Sequence, residues 1–101
     1  MNDQDNKWVL ITGGAKRIGA KVAKTLHARG MNLAIHYNSS NHDAESLSDE
    51  LNSIRANSTI VFGANLTSDE AVDRLIPNVL SKTGRLDVLI NNASTFYPTP
   101  I

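Results

Sequence analysis

The chain lacks cysteine, and its charges cancel, since it has ten basic and ten acidic residues among 101. The absence of cysteine excludes disulfides and thiolate metal sites and fits a reducing compartment. A formal net charge of zero creates no overall field that would recruit nucleic acid or an anionic membrane. We therefore expect small molecules or other protein chains as partners, and a cytoplasmic location.

No apolar stretch approaches the ~18 residues of a membrane span, and the polar residues 1–6 do not form a signal peptide. We expect those six residues to be disordered. His27, His36 and His42 lack the paired spacing of metal ligands, so no metal site is predicted. With 41% hydrophobic and 20% charged residues, the rest has the composition of an ordinary globular domain.

Apolar runs and runs of helical period alternate along the chain from Lys7 onward, which predicts the order βαβαβαβ. With right-handed crossovers, this order gives an α/β fold, the first half of a Rossmann-type doubly wound parallel sheet, with strand order 3-2-1-4. We predict strands at 8–11, 33–37, 59–64 and 86–91. Helices are predicted at about 18–29, stopping at Gly30, through 44–54, and from the N-cap Ser68 to Gly84 with a kink at Pro77.

The stretch TGGAKRIG, at residues 12–19, lies between the first strand and the first helix. Gly13 would permit the turn and Gly19 a close backbone approach, while a helix starting near Ile18 would present free N–H groups to a pyrophosphate. The alternative is a tight connection without a ligand. The stretch NNAS, at 91–94, follows the fourth strand, and ligands of this fold bind between the first and fourth strands. This shared edge favours the functional interpretation.

The second strand ends in HYNSS, residues 36–40, and no acid occurs before Asp43. An NAD-selective site usually has an acid here for the adenosine ribose, and a carboxylate would repel a 2′-phosphate. The amide and hydroxyls of this stretch could instead bind that phosphate, and Lys16 and Arg17 could add charge-assisted bonds. The pattern predicts NADPH as the cofactor. The alternative is that both cations are solvated and that the polar stretch only begins a helix.

Together, TGGAKRIG, HYNSS and NNASTFYPTP resemble the short-chain dehydrogenase/reductase family and, within it, the pteridine reductases. Arg17 stands where the family usually has its middle glycine, and Ser94 stands where it usually has glycine. Pteridine reductases share both departures. The resemblance covers Lys7 to Ile101.

The resemblance implies NADPH-dependent hydride transfer to an oxidised pterin such as dihydrobiopterin or dihydrofolate, by an enzyme that forms a homotetramer. Phe96 would cover a pterin ring stacked on the nicotinamide, although core packing is the alternative for this side chain. The substrate would also contact Arg17 and Ser94. The residues implied to bind the cofactor are Gly13, Lys16, Arg17, Ile18, Gly19, His36, Tyr37, Asn38, Ser39, Ser40, Asn65, Leu66, Asn91, Ala93 and Ser94.

Three positions depart from the pattern of the pteridine reductases. Ser39 replaces a residue that is often basic there, which suggests weaker binding of the 2′-phosphate. Asn65 and Leu66 fall where the family commonly has an acidic residue near the adenine, so a contact there would not involve a carboxylate.

The family's catalytic Tyr-x-x-x-Lys pair is absent, because Tyr37 and Tyr97 are followed four residues later by Asn41 and Ile101. We therefore expect residues 7–101 to be the amino-terminal part of a dinucleotide-binding domain, without catalytic residues and inactive alone. Its fourth strand should expose an apolar edge. The alternatives are a reductase of carbonyls such as 3-oxoacyl thioesters, and a noncatalytic nucleotide-binding module.

Overall fold

A computed structural model of the protein describes residues 7–13, 17–38, 41–64 and 69–91. Strands and helices alternate through these residues, which confirms the predicted order. The elements are β1 (Trp8–Thr12), α1 (Arg17–Ala28), β2 (Asn32–Tyr37), α2 (Asn41–Ile54), β3 (Thr59–Gly63), α3 (Asp69–Thr83) and β4 (Val88–Asn91).

The four strands form one parallel sheet in the order β3-β2-β1-β4. The central strand β1 pairs with β2, where Ile11 lies beside Ile35, and with β4, where Thr12 lies beside Asn91. This arrangement confirms the predicted strand order and the Rossmann-type α/β fold.

Side chains of the sheet alternate between two apolar cores, one on each face. Helices α1 and α2 cover one face and α3 covers the other, so the chain changes face after β3. The change puts the topological switch point between β1 and β4. The first core contains Val9, Ile11, Ala23, Leu33, Ile35, Ala44, Leu47 and Leu51, and the second contains Trp8, Leu10, Ala34, Phe62, Leu75 and Val79.

The first helix stops at the predicted glycine. Gly30 has a φ of 96°, a left-handed conformation that favours glycine, and its N–H donates to the carbonyl of His27 at 3.0 Å. The N–H of Met31 donates to the carbonyl of Leu26 at 3.2 Å. These bonds satisfy carbonyls that the end of α1 would otherwise leave unpaired, and they lead the chain directly into β2.

The fourth strand begins at Val88, two residues later than predicted. Leu86 instead packs against the core beneath α3, and Asp87 joins the start of β1 through both its backbone and its side chain. The N–H of Asp87 donates to the Trp8 carbonyl, and the Trp8 N–H donates to Asp87 Oδ2, each at 2.9 Å. The side-chain carboxylate of Asp87 therefore accepts the hydrogen bond that a backbone carbonyl of the neighbouring strand would accept in a regular parallel sheet.

Strand β4 exposes apolar side chains, since Val88 and Leu89 are 41% and 49% exposed. This agrees with the apolar edge expected at the fourth strand. Helix α3 contains Pro77 and runs from Asp69 to Thr83, and the kink predicted there stays a prediction. Residues 1–6 and the predicted cap Ser68 lie outside the described residues. No helix in the described part of the chain is long and apolar enough to cross a membrane.

Candidate cofactor site at the carboxyl ends of the strands

The carboxyl ends of all four strands lie along one edge of the sheet, because the strands are parallel. Thr12 and Asn91 are register partners at this edge. The buried hydroxyl of Thr12 donates to the carbonyl of Ile90 at 3.5 Å. The segments that follow β1 and β4 therefore start from neighbouring positions at the switch point.

Gly13 begins the turn between β1 and α1 with a φ of 62°. This left-handed conformation is one that glycine adopts without strain, which explains the residue type at this position. Helix α1 follows from Arg17, and its first turn contains no acidic residue that would repel an anion. Ile18 is 70% exposed, whereas Gly19 is buried. The positive end of the α1 dipole is therefore not offset by a carboxylate, which favours a bound phosphate at the start of α1.

The imidazole of His36 is fully buried and touches the ends of both neighbouring strands. Its Nδ1 accepts a hydrogen bond from the Gly13 N–H at 2.9 Å, and its Nε2 lies 2.7 Å from the carbonyl oxygen of Ala64. Because an N–H can only donate and a carbonyl can only accept, Nδ1 carries no proton and Nε2 carries one. Burial lowers the pKa of His36, and the bond to Ala64 opposes this effect.

Tyr37 and Gly63 are register partners at the ends of β2 and β3. A Cβ atom added to Gly63 would lie 2.7 Å from both Cζ and Oη of Tyr37, so the phenol ring lies across this glycine. The N–H of Ala64 donates to the Tyr37 carbonyl at 3.1 Å. Asn38, the next residue, is exposed. The edge of the sheet at β2 therefore presents an aromatic ring beside a polar side chain.

A cavity of about 210 Å³ lies between the end of β3 and helix α3. Gly63 and Ala64 line it from the strand, and Arg74, Leu75 and Asn78 line it from the helix. No role was predicted from the sequence for Gly63, Arg74 or Asn78. A glycine at the end of an otherwise apolar strand was the available signal for Gly63, whereas the two helical residues carry no such signal.

Among the described members of the predicted site, the structure joins Gly13 to His36 by a hydrogen bond. Ile18 and Gly19 lie in the first turn of α1, and Tyr37 and Asn38 lie at the end of β2. For Arg17 and Asn91 the structure describes only the backbone. Their predicted roles stay predictions. Among the described residues, no group of three or more His, Asp or Glu side chains could hold a metal ion. The remaining predicted residues, Lys16, Ser39, Ser40, Asn65, Leu66, Ala93, Ser94 and Phe96, lie outside the described part of the chain.

A parallel sheet with helices on both faces and a glycine turn at its switch point defines a Rossmann-type α/β protein. A sequence model of the short chain dehydrogenase family matches residues 7–101, and the chain belongs to this family. This confirms the family expected from the sequence motifs.

Curated relatives include reductases of different substrates. Pteridine reductase 1 of Leishmania tarentolae is 40% identical across 91% of this chain and 38% of its own length. A 3-oxoacyl-acyl-carrier-protein reductase of Staphylococcus epidermidis is 34% identical across 87% of this chain and 36% of its own. The short-chain dehydrogenase/reductase FrzI of Cladobotryum sp is 34% identical, with 87% and 34% covered. The chain spans little more than a third of each relative.

Proposed function

We propose that this chain forms the cofactor-binding part of an NADPH-dependent reductase of oxidised pterins, of the dihydrobiopterin or dihydrofolate type. The pairing of Thr12 with Asn91 carries the proposal, because the glycine turn begins directly after Thr12 and the fourth-strand motif begins at Asn91, both at the switch point of the sheet. Family membership supports a reductase, and the 40% identity to a pteridine reductase supports a pterin as its substrate.

The residues at the switch point fit a dinucleotide phosphate. The left-handed turn at Gly13 leads to a helix whose first turn is free of carboxylates, and such a helix start attracts phosphate through its N–H groups and its dipole. Helix α1 and the turn before it would hold the pyrophosphate. The nicotinamide cofactor would supply the hydride, while the protein orients it against the substrate.

The absence of an acid at the end of β2 supports NADPH rather than NADH. Tyr37 and the exposed Asn38 stand there, and Ser39 and Ser40 follow in sequence. These groups can donate to a 2′-phosphate without repelling it, and Lys16 and Arg17 from the first turn would add positive charge.

Phe96, Ser94 and Arg17 would make the substrate side of the site. An aromatic face opposite the nicotinamide suits a flat pterin, since stacking would hold the ring close to the geometry needed for hydride transfer. The similarity to 3-oxoacyl-acyl-carrier-protein reductases supports a second candidate, a reductase of carbonyl thioesters. We favour the pterin because a plain carbonyl substrate needs no stacking platform.

The proton donor of the proposed reaction would lie outside these 101 residues, because they contain no Tyr-x-x-x-Lys sequence. The chain alone should therefore bind NADPH without reducing a substrate. We also propose that the active enzyme is a cytoplasmic homotetramer.

The test is NADPH oxidation by the longest natural chain that contains this sequence, with dihydrobiopterin, dihydrofolate or a 3-oxoacyl thioester as substrate. We expect turnover with a pterin and NADPH, less with NADH, and none by the 101-residue chain. Arg17→Ala should reduce the preference for NADPH about tenfold, because a charge-assisted phosphate contact is lost.

Lys24→Ala is the matched control for Arg17→Ala. Lys24 is an exposed cation on the same helix, and its ammonium lies 3.6 Å from Glu50, away from the turn. The Lys24→Ala substitution should leave the preference for NADPH over NADH unchanged. Turnover of the thioester alone would favour the carbonyl reductase, and NADPH binding without any turnover would favour a noncatalytic module.

A further inference from the structure

One buried imidazole connects three strand ends at the candidate site. His36 stands near the end of β2, and its ring bonds to Gly13 after β1 and to Ala64 after β3, at 2.9 and 2.7 Å. The side chain has no exposed surface, so a cofactor in the open site would not reach it directly. The family resemblance implies that His36 contacts the cofactor, whereas in the structure its ring bonds to backbone groups.

We propose that His36 is a positioning residue that fixes the glycine turn for cofactor binding through the bond from the Gly13 N–H to Nδ1. This inference rests on the proposed function for its ligand, and on the observed hydrogen bonds for its geometry. It assigns to His36 a role in shaping the turn rather than in contacting the phosphate.

The carbonyl of Ala64 sets the orientation of the ring. It can only accept a hydrogen bond, so it selects the tautomer with a proton on Nε2 and leaves the lone pair of Nδ1 for Gly13. The end of β3 thereby controls which nitrogen faces the turn after β1. The left-handed turn takes the Gly13 N–H out of the hydrogen-bond ladder of the sheet. The imidazole of His36 accepts a hydrogen bond from this N–H instead.

The bond also determines what Gly13 itself can do. Its N–H donates to an imidazole and is therefore directed at His36, not at a phosphate in the open site. Gly13 then serves the site by its conformation, and the N–H groups at the start of α1 remain for the anion. Without the imidazole acceptor, the turn would be less ordered. A ligand would then have to order the turn on binding, which would lower its affinity.

Two substitutions of His36 separate the two bonds. In His36→Asn the amide oxygen stands near the position of Nδ1 and can accept from Gly13, but it does not reach Ala64. In His36→Gln the longer side chain carries its amide towards Ala64 and no longer puts an acceptor at the position of Nδ1. Because both replacements are polar and uncharged, a difference between them reports the position of the acceptor.

The experiment uses the longest natural chain that contains this sequence and measures amide hydrogen exchange at Gly13 by NMR, together with the Kd of NADPH. We expect His36→Gln to accelerate Gly13 exchange about tenfold and to raise the Kd about tenfold, the equivalent of one lost hydrogen bond. His36→Asn should stay within about threefold of the wild type in both measurements, because it restores the acceptor. Equal effects of Asn and Gln would overturn the proposal.

His27→Asn is the matched control, since His27 is also buried but its Nε2 bonds to Ser58, before the start of β3. It should leave Gly13 exchange and the Kd unchanged, and a change as large as that of His36→Gln would show a general loss of stability instead. Ring-nitrogen NMR of the wild type gives a second test without any variant. A proton on Nε2 of His36 supports the proposal, and a proton on Nδ1 overturns it.

The exchange and ring-nitrogen measurements need no cofactor. If the wild type fails to bind NADPH, the proposed function fails, while the two NMR results still decide whether His36 fixes the turn. If NADPH binds but Asn and Gln behave alike, the proposed function stands and the positioning role fails.

Discussion

At the scale of single residues, Gly63 and Tyr37 illustrate how a missing side chain shapes the candidate site. Gly63 leaves room for the Tyr37 ring, which lies where an alanine methyl group would approach within 2.7 Å. The ring is the outer end of a side chain, so it can swing away if the space is filled. The glycine therefore controls where an aromatic surface lies, more than whether the domain folds.

We expect Gly63→Ala to displace the Tyr37 ring from the end of β2. The free energy of unfolding should change by less than about 1 kcal/mol, because Gly63 is exposed and the ring can move into solvent. The Kd of NADPH should rise several-fold if Tyr37 contributes to the adenosine side of the site. Urea unfolding and a fluorescence titration with NADPH measure the two effects.

The same substitution in a Tyr37→Ala background is the control. Without the ring, the added methyl group has nothing to displace, so Gly63→Ala should produce no further change in the Kd. An equal increase in both backgrounds would mean that the methyl group itself obstructs the cofactor, and the assignment to Tyr37 would be wrong.

The sequence predicted a glycine turn after β1, but not which side chains contact it. The position of Gly13 followed from its place between a strand and a helix. The bonds of His36 did not, because they join residues 23 and 28 positions apart, and no local pattern encodes such distances. Gly63 stands out locally as a glycine at the end of an apolar strand, but its role depends on Tyr37 across the strands, which no local pattern encodes.

At the scale of secondary-structure elements, helix ends and strand centres were predictable where local chemistry decides them. Gly30 ends α1 through its left-handed conformation, as the sequence indicated. The start of β4 was predicted too early, because the reciprocal bonds between Asp87 and Trp8 are tertiary contacts. An apolar residue such as Leu86 has the same sequence signal whether it lies in a strand or beneath a helix.

Arg55, just after α2, connects three elements and provides a test at this scale. Its guanidinium donates to the carbonyls of His27 at 2.9 Å and Met31 at 2.6 Å, and it contacts Asn32 Oδ1 at 3.3 Å. These contacts join the end of α2 to the connection between α1 and β2. The cation also complements the negative end of the α1 dipole.

Arg55→Met should lower the free energy of unfolding by about 2 kcal/mol, because charge-assisted bonds to carbonyls are lost while the aliphatic part is kept. Arg55→Lys should lower the free energy of unfolding by a smaller amount than Arg55→Met, since one ammonium cannot reproduce the two-pronged hydrogen bonding of a guanidinium. Urea denaturation measures both. Arg29→Met, an exposed arginine on the same connection, should change stability by less than about 0.5 kcal/mol. Equal losses at both positions would contradict the role given to Arg55.

At the scale of the whole molecule, two buried histidines lie at opposite ends of the strands, His36 in β2 and His27 in the last turn of α1. His36 lies at the carboxyl ends, and His27 lies at the opposite end, where its Nε2 is 2.7 Å from Ser58 Oγ. Burial lowers the pKa of both imidazoles, and the positive charge of Arg55 lowers the pKa of His27 further. The folded state therefore prefers both rings without a charge.

This preference predicts that stability falls with acidification below about pH 6.5, the ordinary pKa of histidine. In that range the unfolded chain binds protons that the folded chain does not, so stability is fully present above it and is lost as the pH falls towards the lowered values. Each histidine contributes a slope of at most about 1.4 kcal/mol per pH unit. Urea unfolding between pH 7 and pH 5 measures the combined slope.

Removing one histidine at a time tests the assignment. His27→Asn and His36→Asn should each reduce the slope between pH 7 and pH 5, whatever their effect on stability at neutral pH, because the titrating group is gone. Asp87 does not interfere, because the bond from Arg85 lowers the pKa of its carboxyl and moves its titration below pH 3.8. A slope that survives both substitutions would place the acid sensitivity elsewhere and would show that the two buried rings do not resist protonation.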